Sequence, residues 1–242
     1  MKVPGLASPF DIIVDPENRV RVSNSQSDTL LRFPADDPIK VETFHAGLIV
    51  RALALDEKGN IWVTSNVSPG FPVPKMPPGI SIMEQFIIIA GAVLRYPKPT
   101  GIVSMFRPNG EQVAPKGYDG GGAIDGPWGV NSDGNGDVWV GTIKGRSVVL
   151  LAGDEAKGHP AGTKTGDLLH AFTGGSIQAI TDVAIDPTGN VWVANNWNSI
   201  EAVTADNPPF PISTWGGGSG LTVIYGVASP VRPPRMGLVG PN

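Results

Sequence analysis

The chain has 242 residues, of which 17% are charged and 40% hydrophobic, with a formal net charge of −4. Glycine and proline together fill 56 of the 242 positions. That balance excludes a disordered chain of low hydrophobicity and high charge. It also excludes a helical bundle, which so many helix breakers would disrupt.

The absence of cysteine excludes a disulfide framework, a thiolate metal site and a cysteine nucleophile. Lys and Arg are scattered and outnumbered by Asp and Glu, so nucleic acid is not an expected partner. What remains is a turn-rich, strand-rich fold with ample length for a core.

Met1 to Gly5 has no apolar stretch, so no secretory leader is read there. Low charge points to a periplasmic or extracellular protein whose leader is absent from this chain.

Four segments then align without gaps: 11–24, 52–65, 129–142 and 182–195. Each has an alternating apolar stretch (Ile12 and Val14, Leu53 and Leu55, Val183 and Ile185), a turn opened by Asp15, Asp56, Asp133 or Asp186, and a β-branched return. Six residues after the turn Asp stands Trp62, Trp139 or Trp192; Arg21 is the exception. Alternation at period two predicts strands. Asp, Pro and Gly in the turn each have a backbone reason to be there.

Two further strands are expected after each hairpin. They are 30–33 and 41–44, then 93–96 and 102–106, then 147–152 and 168–172, then 200–204 and 222–227. Between the second hairpin and its third strand lies an insertion, 66–92, opened by five prolines from Pro69 to Pro78. The apolar run from Ile80 that follows reads as a short helix or an extra strand, and periodicity does not separate the two. Interrupted by Glu84 and Gln85, it is too short to cross a membrane, which takes about 20 residues. Its apolar residues Phe71, Met76, Met83 and Phe86 suit either a protein partner, self-association included, or the chain's own body.

Four strands per repeat, at a recurring hairpin spacing, predict an all-β fold, a β-propeller of four-stranded antiparallel blades. One domain is expected over 1–242, with blades at 8–47, 50–115, 126–175 and 178–230 and a tail at 231–242. The first two turn aspartates lie 41 residues apart, a spacing at which 242 residues would hold nearly six plain blades. The chain is therefore read as a compact four-bladed ring, or as an incomplete or shared six-bladed one with blades supplied by a second chain.

Asp56-x-x-Gly59-Asn60-Ile61-Trp62-Val63, the matching run from Asp186 to Asn195, and Gly126-Pro127-Trp128-Gly129-Val130 resemble NHL-type propeller repeats. Within them, they are similar to the streptogramin B lyase-like branch. The resemblance implies a site on the propeller axis. In the lyases it implies ring opening of a cyclic depsipeptide lactone, with two His, a Glu and a magnesium ion. Related lactonase propellers use a central calcium. The histidines here are His45, His159 and His170, and none has Glu two positions before it, so the lyase catalytic set does not transfer.

Propeller geometry places the starts of inner strands and the ends of second strands around one funnel. The candidates are Asp11, Arg51, Trp128 and Asp182 from the first group, with Phe10 and Thr181 beside them. Asn24, Ser65, Thr142, Asn195 and Asn196 come from the second group. Asp11, Asp182, Asn24 and Asn195 are hard oxygen ligands of the kind that suit Ca²⁺ or Mg²⁺. Arg51 and Trp128 would add an anion contact and a stacking surface for a small-molecule ligand. The same residues also suit strand-ending bonds to the loop backbone.

Three other patterns are read as structural. Asp133-Gly-Asn135-Gly-Asp137 imitates a calcium loop but has Val138 and Lys144 where Gly and Glu are needed. Residues 216–220 lack the nucleophile-elbow spacing, and Gly120 to Gly122 lacks the helix of a phosphate loop. The expected function is a binding or assembly module. The alternative is a metal-dependent lyase or lactonase acting on cyclic esters.

Overall fold

A computed structural model describes residues 2–155, 157–197 and 220–231. The first blade contains β1 (Pro9–Val14), β2 (Arg19–Asn24), β3 (Thr29–Pro34) and β4 (Glu42–His45), all antiparallel. The second contains β5 (Leu48–Leu55), β6 (Ile61–Val67) and β7 (Ile102–Phe106). The third contains β8 (Pro127–Ser132), β9 (Val138–Thr142), β10 (Ser147–Leu151) and β11 (Leu168–Thr173). The fourth contains β12 (Ala179–Ile185), β13 (Val191–Trp197) and β14 (Gly220–Ile224). Within each sheet the strands follow chain order.

All four hairpin turns are built alike. The turn Asp amide donates to the carbonyl four residues on, and the residue three on donates back to the Asp carbonyl. That third residue has positive φ in every case: Asn18 at 58°, Gly59 at 76°, Gly136 at 87° and Gly189 at 84°. Glycine or asparagine is needed there because a Cβ disfavours this conformation.

The Asp side chain then clasps the return strand. Its Oδ1 accepts the amide four residues on at 2.9 Å, 2.9 Å, 3.1 Å and 3.0 Å in the four blades. Its Oδ2 accepts the indole N–H of Trp62, Trp139 or Trp192, at 3.0 Å, 3.1 Å and 3.0 Å. Arg21, the exception in the sequence, does the same job: its Nη2 donates to Asp15 Oδ2 at 2.9 Å. The pair is fully buried.

The cores lie between blades. Trp62 packs with Val103 and Met105 of its own blade against Val130, Val138 and Val140 of the next. Trp139 packs in the same way against Val183, Ile185, Val191 and Val193. The first junction combines Leu30, Leu53, Ile61, Val63 and Phe106. Its polar part is the Pro108 carbonyl, which accepts from Arg21 at 3.3 Å and Arg32 at 2.7 Å. After β14 the chain turns back over the outside: Gly134 donates to the Ser229 carbonyl and Ala228 to that of Gly189.

Blade 2 departs from the expected strand order. Residues 93–96, expected as its third strand, lie at the end of a helix, α1 (Ile82–Arg95). The likeness of Leu94-Arg95-Tyr96 to Leu31-Arg32-Phe33 is misleading. Ser81 and Glu84 form a capping box that starts the helix. The third strand is β7, expected as the fourth, and an irregular edge at 111–118 bonds to it through Val113, Tyr118 and Glu111. The insertion folds onto its own body: Ile89, Ala92 and Val93 of α1 pack on Val67, Phe71 and Tyr96.

Blade 4 needs a similar correction. Residues 222–227, expected as its outermost strand, supply part of β14, which pairs directly with β13 and is the third strand. The strand expected at 200–204 lies outside the described residues, as do most of the glycine run at 216–220 and most of the tail.

Candidate functional site

Inner strands begin where second strands end. Pro9 pairs with Asn24, Val50 with Ser65, Pro127 with Thr142 and Ile180 with Asn195. Phe10, Arg51 and Trp128, five residues before their turn aspartates, meet across three blades. The Arg51 guanidinium lies 5.0 Å from the Phe10 ring centroid and 4.3 Å from that of Trp128. The two rings are 5.9 Å apart and edge-to-face.

Arg51 is held from both sides. Its Nε donates to Asn66 Oδ1 at 2.6 Å and its Nη1 to Ser25 Oγ at 2.5 Å. Burial pushes its pKa down to about 10, which leaves it cationic at neutral pH. Trp128 is fixed through its carbonyl, which accepts from Thr64 Oγ1 at 2.6 Å. Leu94 of α1 packs into the same cluster with Ile143 and Ala179, so the insertion roofs one side of this mouth.

Asp11 and Asp182 also come together. Asp11 is spent on backbone: Oδ1 accepts from the Ile12 amide and Oδ2 from that of Leu53, both at 2.8 Å, so the second bond ties blade 1 to blade 2. Asp182 Oδ1 accepts the Val183 amide at 2.9 Å. Asp182 Oδ2 has no hydrogen-bond partner among the described residues. The residue is exposed, but Gly129 of blade 3 packs closely against its backbone and Oδ1. Burial therefore raises its carboxyl pKa, against the Val183 N–H, and the Asp11 charge raises it further.

The second group of candidates lies within the blades. Asn24 accepts the Ala7 amide and donates to the Gly5 carbonyl and Thr29 Oγ1. Ser65 donates to the Ala46 carbonyl, and Thr142 bonds Ser147. Asn195 accepts the Gln178 amide and donates to Thr222 Oγ1. These four tie connecting segments to their own blades. Asn196 is exposed on β13.

Ser25 and Asn66, which hold Arg51, were missed. Both stand ten residues after their turn aspartates, in register with Asn196, and that register was the available signal.

Each histidine has a local partner. His45 meets Asp28 at 2.7 Å, His159 meets Asp137 at 2.8 Å, and His170 lies edge-on to Phe172 at 4.4 Å. In the calcium-loop mimic, Asp133 Oδ1 accepts the amides of Asn135 and Asp137, as blade turns require. Among the described residues, no group of three or more His, Cys, Asp or Glu is placed to hold a metal ion. No helix among them is long and apolar enough to cross a membrane.

No protein-family profile and no curated protein matches the sequence. Solved structures do match its shape. A catalytically inactive virginiamycin B lyase from Staphylococcus aureus, solved with quinupristin, is 14% identical with a TM-score of 0.50, covering 79% of this chain and 50% of that one. A putative gluconolactonase is 12% identical with a TM-score of 0.50, covering 78% and 58%. The WD40 repeats of RRP9 are 8% identical with a TM-score of 0.51, covering 82% and 48%. The fold is a β-propeller. Lyase, lactonase and WD40 repeats share it, and at these identities the likeness is one of fold alone. This propeller chain spans about half the length of the structures it matches.

Proposed function

We propose that the chain is a binding module, an NHL-type propeller whose axial mouth receives a small molecule or a peptide. The observation that carries this reading is the Phe10–Arg51–Trp128 stack. Three blades place an aromatic, a cation and an aromatic in one fixed array. Phe10 is 43% exposed and offers the ring face. Asp182 Oδ2 offers an acceptor at the same end. A ligand with a flat apolar group and a hydrogen-bond donor suits that pair. A fragment screen by thermal shift tests the reading. Hits should be lost in Phe10→Ala and Asp182→Asn and kept in His45→Gln, on the outermost strand of blade 1. Hits that ignore Phe10 and Asp182 would defeat it.

A second reading is a metal-dependent lyase or lactonase with Ca²⁺ or Mg²⁺ in the funnel. It is favoured by the approach of Asp11 to Asp182. It requires Asn24 and Asn195 to release the amides they now accept, so Asp11, Asp182, Asn24 and Asn195 do not form a ready ligand set. A rise in melting temperature at millimolar Ca²⁺ or Mg²⁺, lost in Asp182→Asn, would favour this reading; no shift would count against it.

A further inference from the structure

The two ends of the blade series expose what every interior junction covers. Each blade has an outgoing face, centred on the clasped Trp or, in blade 1, on Arg21, and an incoming face on its hairpin strands. In the interior, Trp62 and Trp139 are 0% exposed, and so are Ile61, Val63, Val138, Val140, Val191 and Val193 across from them. The register equivalents of those aliphatic residues on blade 1 are Val20 and Val22, the second buried at 5%; beside them on β1 stand Ile12 and Val14, equivalents of Leu53, Val130 and Val183 and of Leu55, Ser132 and Ile185. Ile12 is 62% exposed and Val14 54%. On blade 4, Trp192 is 40% exposed and Leu221, on the adjoining strand, 67%. The segment at 5–8 covers the outer part of the blade 1 face near Leu31, so the open strip there is the inner strand.

We propose that these two faces are halves of one interface with a second copy of this chain. Blade 4 of each copy packs on blade 1 of the other, and two copies close an eight-bladed ring. Continuity with the interior junctions supports this. Trp192 keeps the clasp to its turn Asp that Trp62 and Trp139 keep, at 3.0 Å against 3.0 Å and 3.1 Å. The knob is therefore already posed. Its hole, Ile12, Val14 and Val20, repeats the aliphatic set of Val183, Ile185 and Val191 that takes Trp139. Each copy carries one knob and one hole at opposite ends of its series. A two-fold pairing fills both at once and leaves no open face.

Two experiments decide it. First, the mass in solution should be twice 25.3 kDa. Trp192→Glu and Ile12→Arg should each give monomers with unchanged strand content. Mixing the two variants should restore the dimer, because one junction is then native and the other pairs Glu with Arg. A wild-type monomer, an open polymer, or a dimer indifferent to both changes overturns the proposal.

Second, the chain has no cysteine, so a disulfide reports the seam without touching Trp192. At the third junction a Cβ on Gly141 would lie 3.3 Å from Ile180 Cβ, close to disulfide spacing. The register equivalents are Ala194 and Pro9. A chain carrying Ala194→Cys and Pro9→Cys should form a covalent dimer on oxidation. An internally linked monomer would mean that one chain closes its own ring, and no link would mean the faces do not meet. Either outcome overturns the proposal.

Discussion

At the scale of single residues, the turn aspartates carry most of the argument. Asp15 shows how charge replaces an indole. Burial alone would raise its pKa, but the Arg19 amide and the guanidinium groups of Arg21 and Arg19 outweigh that, and the net shift is downward. A lowered pKa means the clasp contributes fully above the ordinary carboxylate range near 3.8 and is lost as pH falls through the folded value. The melting temperature should therefore fall as the pH drops below about 4, and fall less in Asp15→Asn. At neutral pH that variant strands a buried Arg21 and should lose about 3–5 kcal/mol in a urea titration. Asp133 has the opposite sign. Burial raises its pKa above that of an unfolded Asp, despite the Trp139 indole N–H it accepts. Its contribution is complete below the unfolded value and is lost as pH rises through the folded one. These clasps were legible because they are local: Asp, its positive-φ residue and its Trp lie within seven positions. Arg51 is legible by register alone, and so is the position of Ser25; that the two bond across blades is not, because the contact joins residues 26 apart.

At the scale of elements, blade junctions set the tolerances. Gly129 of β8 passes so close to blade 4 that a Cβ there would lie 2.5 Å from Asp182 Cα. The obstacle is backbone, so the strand itself must shift. Gly129→Ala should cost about 1–3 kcal/mol by denaturant unfolding, and it should disturb the mouth, since Trp128 is the preceding residue. Gly136→Ser, whose Cβ would meet nothing within 4 Å, should cost about 1–2 kcal/mol through its positive φ alone and leave the mouth undisturbed. The third strand of blade 2 was misread for a physical reason. A strand and the end of an amphipathic helix can share the pattern apolar, basic, aromatic, and only the start of the element separates them. Ser81 and Glu84 carry that information, fourteen and eleven residues upstream of Arg95.

At the scale of the molecule, the sequence specifies a repeat but not its closure. Hairpins repeat because each is a local solution. Closure depends on faces that meet only after all blades form, and Trp192 looks the same in sequence whether it is covered or bare. The insertion raises a different issue, the order of assembly. In blades 1 and 3 the second and third strands are joined by four residues, 25–28 and 143–146. In blade 2 the same joint runs from Val67 to Ile102 and contains α1. Closing a longer loop costs more chain entropy before any ladder bond forms, so blade 2 should complete its sheet late. Pulsed hydrogen exchange during refolding should find amides of β9 and β10 protected before those of β7; simultaneous protection would refute that order. The Pro-rich arm then acts as a timer. While it is unplaced, the interior strand Ile61–Val67 stays an unpaired edge, and a nascent chain spends that interval exposed to wrong partners.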